Sequence, residues 1–206
     1  MLAGLILAGG KSSRMGTDKS LLTLPDNQLP LLEHCKQQLA SVCGSHIFIS
    51  GSQHQQGIAD VIPHCGPLSG IHAAIKHIAT HHSNIDELLV VAVDMPDLNS
   101  EGFSYLLEMG RKNRSLCAFE NCFLPVYIPL SSHVTQYLDT VLNHQSEQAV
   151  NQPKQRQYSV KVMLKSLRGL QIQPLKNTQL HNINTPVQWQ QRCAEQPFTK
   201  APLTKA

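Results

Sequence analysis

Leu88-Leu89-Val90-Val91-Ala92-Val93 is an unbroken apolar run, closed by Asp94-Met95-Pro96. A run this short and continuous reads as a strand buried on both faces, which the centre of a parallel sheet requires. Working towards the N-terminus, Leu5-Ile6-Leu7-Ala8 ends at Gly9-Gly10, and His46-Ile47-Phe48-Ile49-Ser50 closes at Gly51. A further short strand is expected at Asp60-Val61-Ile62, just before Pro63. Between these runs, Leu32, Cys35, Leu39 and Val42 recur at helical spacing, and Gly66-Pro67-Leu68-Ser69-Gly70 leads into a helix from about Ile71 to Thr80. Strands alternating with helices give an α/β fold, a mostly parallel sheet with helices on both faces.

Beyond residue 115 the pattern is less regular. Leu116-Cys117-Ala118-Phe119 and Leu124-Pro125-Val126-Tyr127-Ile128 read as strands, 132–143 as a helix, and Ser159 to Leu167 as an amphipathic helix. Residues 145–157, rich in Gln, Asn and basic side chains, read as a loop able to close over a site. Gln171-Ile172-Gln173-Pro174-Leu175 reads as a late edge strand, where Pro174 is tolerated. A chain of 206 residues suits one domain over 1–195, followed by a mobile tail at 196–206 that lacks apolar periodicity.

Charge narrows the function. The 17 Lys and Arg against 14 Asp and Glu leave +3, spread without a dense basic cluster, which argues against nucleic acid held on a basic face. The 6 cysteines contain no C-x-x-C pair, so reduced thiols in a cytoplasmic protein are expected. MLAGLILAGGK lacks the basic start of a signal peptide, and no apolar run reaches the roughly 18 residues of a spanning helix, so no membrane association is expected.

In open parallel sheets the ligand sits beyond the carboxyl ends of the strands, so the residues after Ala8, Ser50, Ile62 and Val93 should converge. The first of these loops carries Gly9 and Gly10, whose backbone a ligand can approach, together with Lys11, Arg14 and Lys19, a combination suited to a polyphosphate. It is neither familiar phosphate loop. A Walker A loop ending at Gly10-Lys11-Ser12 would need glycine where Leu5 stands, and adjacent Gly9-Gly10 break the G-x-G-x-x-G pattern. Asp94, presented at a strand end near these cations, suits Mg²⁺, which takes one or two protein carboxylates with waters and substrate oxygens as its other ligands. The competing role is an N-cap to a helix beginning near Pro96. His81-His82 suits a helix C-terminus, and His64 lies in the loop after the expected third strand.

The segment Leu7-Ala8-Gly9-Gly10-Lys11-Ser12-Ser13-Arg14-Met15-Gly16-Thr17-Asp18-Lys19-Ser20-Leu21-Leu22 closely resembles the signature of the MobA family, the molybdenum cofactor guanylyltransferases. Gly66-Pro67-Leu68-Ser69-Gly70-Ile71, Val93-Asp94-Met95-Pro96 and Asn182-Ile183-Asn184-Thr185-Pro186 match in order, so the resemblance spans about residues 2 to 192. It implies a Rossmann-like nucleotidyltransferase fold, with a nucleotide-binding half over about 1–115 and an acceptor half over 116–195. The implied reaction moves GMP from GTP to a molybdopterin-type cofactor and releases pyrophosphate. By resemblance, Leu7, Ala8 and Gly9 contact the nucleotide through backbone groups, joined by Ser50, Gly66, Pro67 and Leu68. Lys19 and Arg14 bind phosphates and act catalytically with Asp94, which holds Mg²⁺. Asn182 and Asn184 line the acceptor side. The implied partners are GTP, the pterin cofactor, cofactor-synthesis proteins and molybdoenzyme-specific chaperones.

Leu-Ala-Gly-Gly is similar to the guanylyl branch, whereas the cytidylyl branch tends towards Leu-Ala-Ala-Gly. The chain departs from the family in three places. Ser50 stands for an Asn, Pro63-His64-Cys65 for a loop containing Asp, and Leu124-Pro125 for a His-Pro pair. These departures keep open a transferase using CTP or a sugar phosphate, and a non-catalytic protein that delivers cofactor.

Overall fold

The computed structural model describes residues 1–9, 19–148 and 158–195. Six strands form one sheet: β1 (Leu2–Leu7), β2 (Ile47–Ser50), β3 (Glu87–Ala92), β4 (Cys117–Phe119), β5 (Cys122–Pro129) and β6 (Leu170–Ile172), in the order β2-β1-β3-β5-β4-β6. The pairs β1/β2, β1/β3 and β4/β6 are parallel, and β5 alone is reversed, antiparallel to both β3 and β4. The helices are α1 (Leu31–Cys43), α2 (Pro67–His81), α3 (Ser100–Asn113), α4 (Ser132–Gln148), α5 (Val160–Ser166) and α6 (Pro186–Glu195), with a 3₁₀ turn at Lys19–Leu21.

The period-two geometry of strands divides the core. Leu88 and Val90 of β3, with Ala3 and Leu5 of β1, face a cluster built with Leu68, Ile71 and Ile75 of α2 and Val134, Leu138 and Leu142 of α4. Leu89 and Val91, with Ile6, face Leu31, Cys35 and Leu39 of α1 and Phe103, Leu106 and Leu107 of α3. Both faces of β1 and β3 are therefore sealed, which is why their sequences show no polar alternation.

The structure changes several expectations. No strand forms at Asp60-Val61-Ile62. After Gly51, at φ 113°, the chain folds back and meets β2 through a single bridge between Ser50 and Ile58, leaving Val61 61% exposed. Helix α2 starts at Pro67 rather than Ile71, because Pro at the first helical position brings a preset φ and needs no amide partner. Residues 145–148, expected as loop, belong to α4, which continues to Gln148, while 149–157 and the tail 196–206 lie outside the described residues. The last strand ends at Ile172, short of Pro174.

The helix expected to begin near Pro96 starts at Ser100 as α3, and α6 has no counterpart among the expected elements. Helix α3 is capped by Asn99, whose side chain accepts from the Gly102 amide at 2.8 Å, and Gly110 lets it lie against Tyr127, where a Cβ would come within 2.2 Å of the ring. Helix α6 opens on a reciprocal capping box. Gln188 N donates to Thr185 Oγ1 at 3.2 Å, and Thr185 N to Gln188 Oε1 at 3.0 Å. That signal, Thr185-Pro186-Val187-Gln188, is readable in the sequence.

Candidate active site

Leu7 pairs with Ser50 on one side and Ala92 on the other, so β1, β2 and β3 end level with one another. Above this edge lie Ala8-Gly9, the loop from Gly51, and Asp94. The approach is close: a Cβ on Gly9 would stand 3.7 Å from Gly51 Cα, and one on Gly70 of α2 would lie 2.9 Å from Ser50 Cβ and 3.0 Å from Leu7 Cδ2. Glycine at 70 thus lets the first turn of α2 settle onto the ends of β1 and β2.

Asp94 is held by its backbone. Val93 N donates to Leu7 O at 3.2 Å, and Ile183 N donates to Asp94 O at 2.8 Å, tying the strand end to the segment before α6. The loop that follows is staked from α1, where His34 Nε2 and Gln38 Nε2 each lie 2.8 Å from the Pro96 carbonyl. The cap of the next helix is Asn99, so Asp94 does not serve as an N-cap.

Its carboxylate is used elsewhere. Lys19 Nζ lies 3.0 Å from Asp94 Oδ2 and 2.9 Å from Asn184 Oδ1, joining three segments far apart in sequence. The Lys19 and Asp94 side chains are only 16% and 17% exposed. Asp94 Oδ1 is buried and has no hydrogen-bond partner among the described residues. An anionic oxygen buried without a partner is costly, so this atom marks an acceptor awaiting a cation or donor. Cys35 of α1 lies behind it, with its Sγ 3.7 Å from Val93 O, and burial together with the charge of Asp94 pushes the thiol up to about 12.

The other site residues fall into groups. The Ala8 carbonyl at the end of β1 faces Gln53 Nε2 at 3.3 Å and His54 Nε2 at 3.4 Å. These two residues were not singled out from sequence, because no motif marks the turn that presents them. Ser50 is 3% exposed beneath Gly70, and Leu68 is fully buried in the core. Gly66, at φ 58°, and Pro67 open α2 beside this edge, where Cys65 N donates to Ser69 Oγ at 3.0 Å. Asn184 joins the Lys19–Asp94 pair, and Asn182, two residues before it, is exposed. His64 is exposed, at φ 68°. Gly10, Lys11 and Arg14 lie outside the described residues.

Among the described residues no group of three or more His, Cys, Asp or Glu is arranged to hold a metal. A single carboxylate with one unpartnered oxygen, beside the amide oxygen of Asn184, fits an ion that draws most of its ligands from water and substrate, as Mg²⁺ does. All 6 cysteines are free thiols, and none of the helices among the described residues is long and apolar enough to cross a membrane.

Comparison with known proteins gives consistent matches. A family profile described as the MobA-like NTP transferase domain matches residues 4–160. The chain is 32% identical over 197 residues, 94% of its own length and 95% of the relative's, to a molybdenum cofactor guanylyltransferase from Xanthomonas euvesicatoria pv. vesicatoria. It is 37% identical over 112 residues to a probable molybdenum cofactor guanylyltransferase from Pelotomaculum thermopropionicum, a match spanning 51% of each chain. In fold it is similar to the crystal structure of molybdopterin-guanine dinucleotide biosynthesis protein A from Archaeoglobus fulgidus, with a TM-score of 0.65 and 18% identity over 95% of this chain and 100% of that one.

Proposed function

We propose, since the chain belongs to the MobA-like NTP transferase family, that it transfers GMP from GTP to a molybdopterin-type cofactor and releases pyrophosphate. The observation that carries this reading on the structure is the cluster of Lys19, Asp94 and Asn184 above the level ends of β1, β2 and β3. A cation and a partly buried, half-satisfied carboxylate set side by side suit a reaction whose difficulty is negative charge.

In this reaction a terminal phosphate oxygen of the pterin forms a new bond to the α-phosphorus of GTP, and the bond from that phosphorus to the oxygen bridging the β-phosphate breaks. The electron pair leaves with pyrophosphate. The nucleophile is already ionised at neutral pH, so the protein need not remove a proton; its work is alignment and electrostatic stabilisation. Lys19 offers its ammonium to the departing phosphates, which draws it away from Asp94 Oδ2. Asp94, with Asn184 beside it, would hold Mg²⁺, whose contribution when bound is to neutralise the triphosphate.

The base sits, in this reading, over Ala8 and Gly9, whose backbone reads a base edge while Gln53 and His54 close that side. Gly66 and Pro67 form the wall at the start of α2, where backbone amides favour an anion. Ser50 and Leu68 act from below, by supporting this wall rather than by touching the nucleotide. Arg14 adds a second phosphate cation. Asn182 faces the acceptor in this reading, with the nucleotide half over about 1–115 and the acceptor half over 116–195. Free thiols accord with a cytoplasmic setting, and the product would pass to proteins that assemble molybdoenzymes.

The test is pyrophosphate release from GTP with isolated molybdopterin cofactor, alongside thermal shifts with GTP, CTP, UTP and ATP in Mg²⁺. The reading expects GTP alone to combine a marked upward shift with turnover. A larger shift and turnover with CTP would move the chain to the cytidylyl class. Binding of GTP without pyrophosphate release would make it a carrier.

A further inference from the structure

Helix α6 is anchored unlike the others. Over 186–194 its single buried residue is Arg192, at 8% exposure, so a charge rather than an apolar stripe fastens it to the body of the protein. Trp189 adds only a partly buried contact with the core. Arg192 forks onto Asp26, with Nη1 and Nη2 lying 3.2 and 3.1 Å from the two carboxylate oxygens, and its Nε reaches Asp97 Oδ1 at 3.2 Å. The hydrogen bonds from Arg192 hold the Asp26 carboxyl below its usual range, although burial opposes this. Both acids are largely covered, with side chains 25% and 11% exposed.

Each partner lies on a segment that also carries a member of the Lys19–Asp94–Asn184 cluster. Asp26 sits in a tight turn closed by Leu24 N to Leu29 O at 2.9 Å, and Leu22 N bonds Lys19 O at 3.1 Å, so the chain from the lysine to the turn is pinned. Asp97 lies in the loop that begins with Asp94, whose Pro96 carbonyl is fixed from α1. Arg192 itself lies on the helix that Asn184 introduces through the capping box of Thr185 and Gln188. One guanidinium therefore touches the turn behind the lysine and the loop behind the aspartate, from the helix behind the asparagine.

We propose that Arg192 is the positioning residue of this site, setting the mutual placement of Lys19, Asp94 and Asn184 by clamping the three segments that carry them. It touches no substrate and acts through these residues. The planar fork matters because a bidentate pair fixes orientation as well as distance, which a lysine ammonium cannot reproduce. The inference rests on the transferase reading above.

The test uses the full chain and three variants. Arg192→Lys keeps the charge and loses the fork. The expectation is a fall in kcat of about 10- to 100-fold, the usual cost of disturbing outer partners of a site, with the KM for GTP within about twofold. Trp189 is the sole tryptophan and lies on the same helix, so unchanged emission would show that α6 remains docked. Arg192→Ala strands two covered carboxylates and is expected to unfold readily. The combined Arg192→Met, Asp26→Asn, Asp97→Asn variant removes all three charges; it should recover the thermal midpoint and remain slow.

Recovery of both midpoint and rate in that triple variant would make the cluster a structural brace and overturn the proposal. So would a wild-type kcat in Arg192→Lys. If the wild-type chain releases no pyrophosphate from GTP, the functional reading falls and this inference falls with it. Normal wild-type turnover with an unimpaired Arg192→Lys defeats the positioning role alone.

Discussion

Replacing Asp94 by asparagine isolates charge from shape. The contact from Lys19 to Asp94 Oδ2 is 3.0 Å. At an effective dielectric of about 20, two unit charges at that distance attract by roughly 5 kcal/mol, an upper bound that solvent and the cost of desolvation reduce severalfold. The amide keeps an acceptor for Lys19, and Asn184 Oδ1 at 2.9 Å remains a second one. The fold should therefore lose only about 1 kcal/mol, a shift of roughly 2–4 °C in Tm for a chain of this size. Catalysis should lose far more. Removing one preorganised electrostatic group from a transition state typically costs about 100- to 1000-fold, or roughly 3–4 kcal/mol. Pyrophosphate release at saturating GTP and cofactor, paired with a thermal melt of the same sample, separates the two losses. Combining Asp94→Asn with Lys19→Met should cost less in rate than the product of the single losses, because the groups touch. Turnover within about threefold of wild type at physiological Mg²⁺ would refute the assignment of Asp94, and a rate loss that merely tracks unfolding would do the same.

Other expectations follow from particular contacts. Gln53→Ala combined with His54→Ala uncovers the Ala8 carbonyl and should raise the KM for GTP by about three- to tenfold, the worth of a hydrogen bond or two, with little change in kcat; an unchanged KM would remove both residues from the nucleotide site. Thr185→Val deletes the hydroxyl of the α6 cap and should lower stability by about 1 kcal/mol in urea unfolding. Burial pushes the thiols of Cys35 and Cys43 up to about 12, and Cys117 up to about 11. The unfolded thiols ionise near 9 while the native ones stay protonated, so the native state loses ground as pH rises from about 9 towards the folded values. Cys35 alone should contribute about 1 kcal/mol of that loss at pH 10. Melts between pH 8 and 10.5 should show Tm falling, and Cys35→Ala should flatten the slope.

How much was legible in the sequence depended on whether a residue's role was local. The run from Leu88 to Ala92 announced its strand because both of its faces are packed, by α2 and α4 on one side and α1 and α3 on the other. Val61 and Ile62 offered a similar but shorter run, and failed because the chain leaves β2 after one bridge and turns outward. Helix α3 was obscured by Gly102 and Gly110, which weaken helical propensity; Gly110 is required where the helix meets the Tyr127 ring, and Gly102 packs closely against Thr178 and the Asn99 cap. Asp94 could be chosen from sequence, since it is a lone charge at a strand end. The bond from Lys19 to Asn184, and the reach of Arg192 to Asp26 and Asp97, could not, because no periodicity records which distant side chains share a charge. Resemblance assigned Asn182 and Asn184 to one role. In the structure Asn184 accepts from Lys19 and Asn182 is exposed.

The reversed strand β5 has a mechanical consequence. Because β3 hydrogen-bonds directly to β5 through the register from Glu87–Pro129 to Val90–Val126, the first three strands and the last three share one continuous sheet. A protein whose two halves meet across a linker can clamp its substrates by hinging, but bending here would shear a ladder of backbone hydrogen bonds. The distance between the β1–β3 edge and the β4–β6 edge is thereby set like the jaw width of a fixed spanner. Fitting two substrates against each other falls to the loops and side chains mounted above the sheet rather than to a hinge within it.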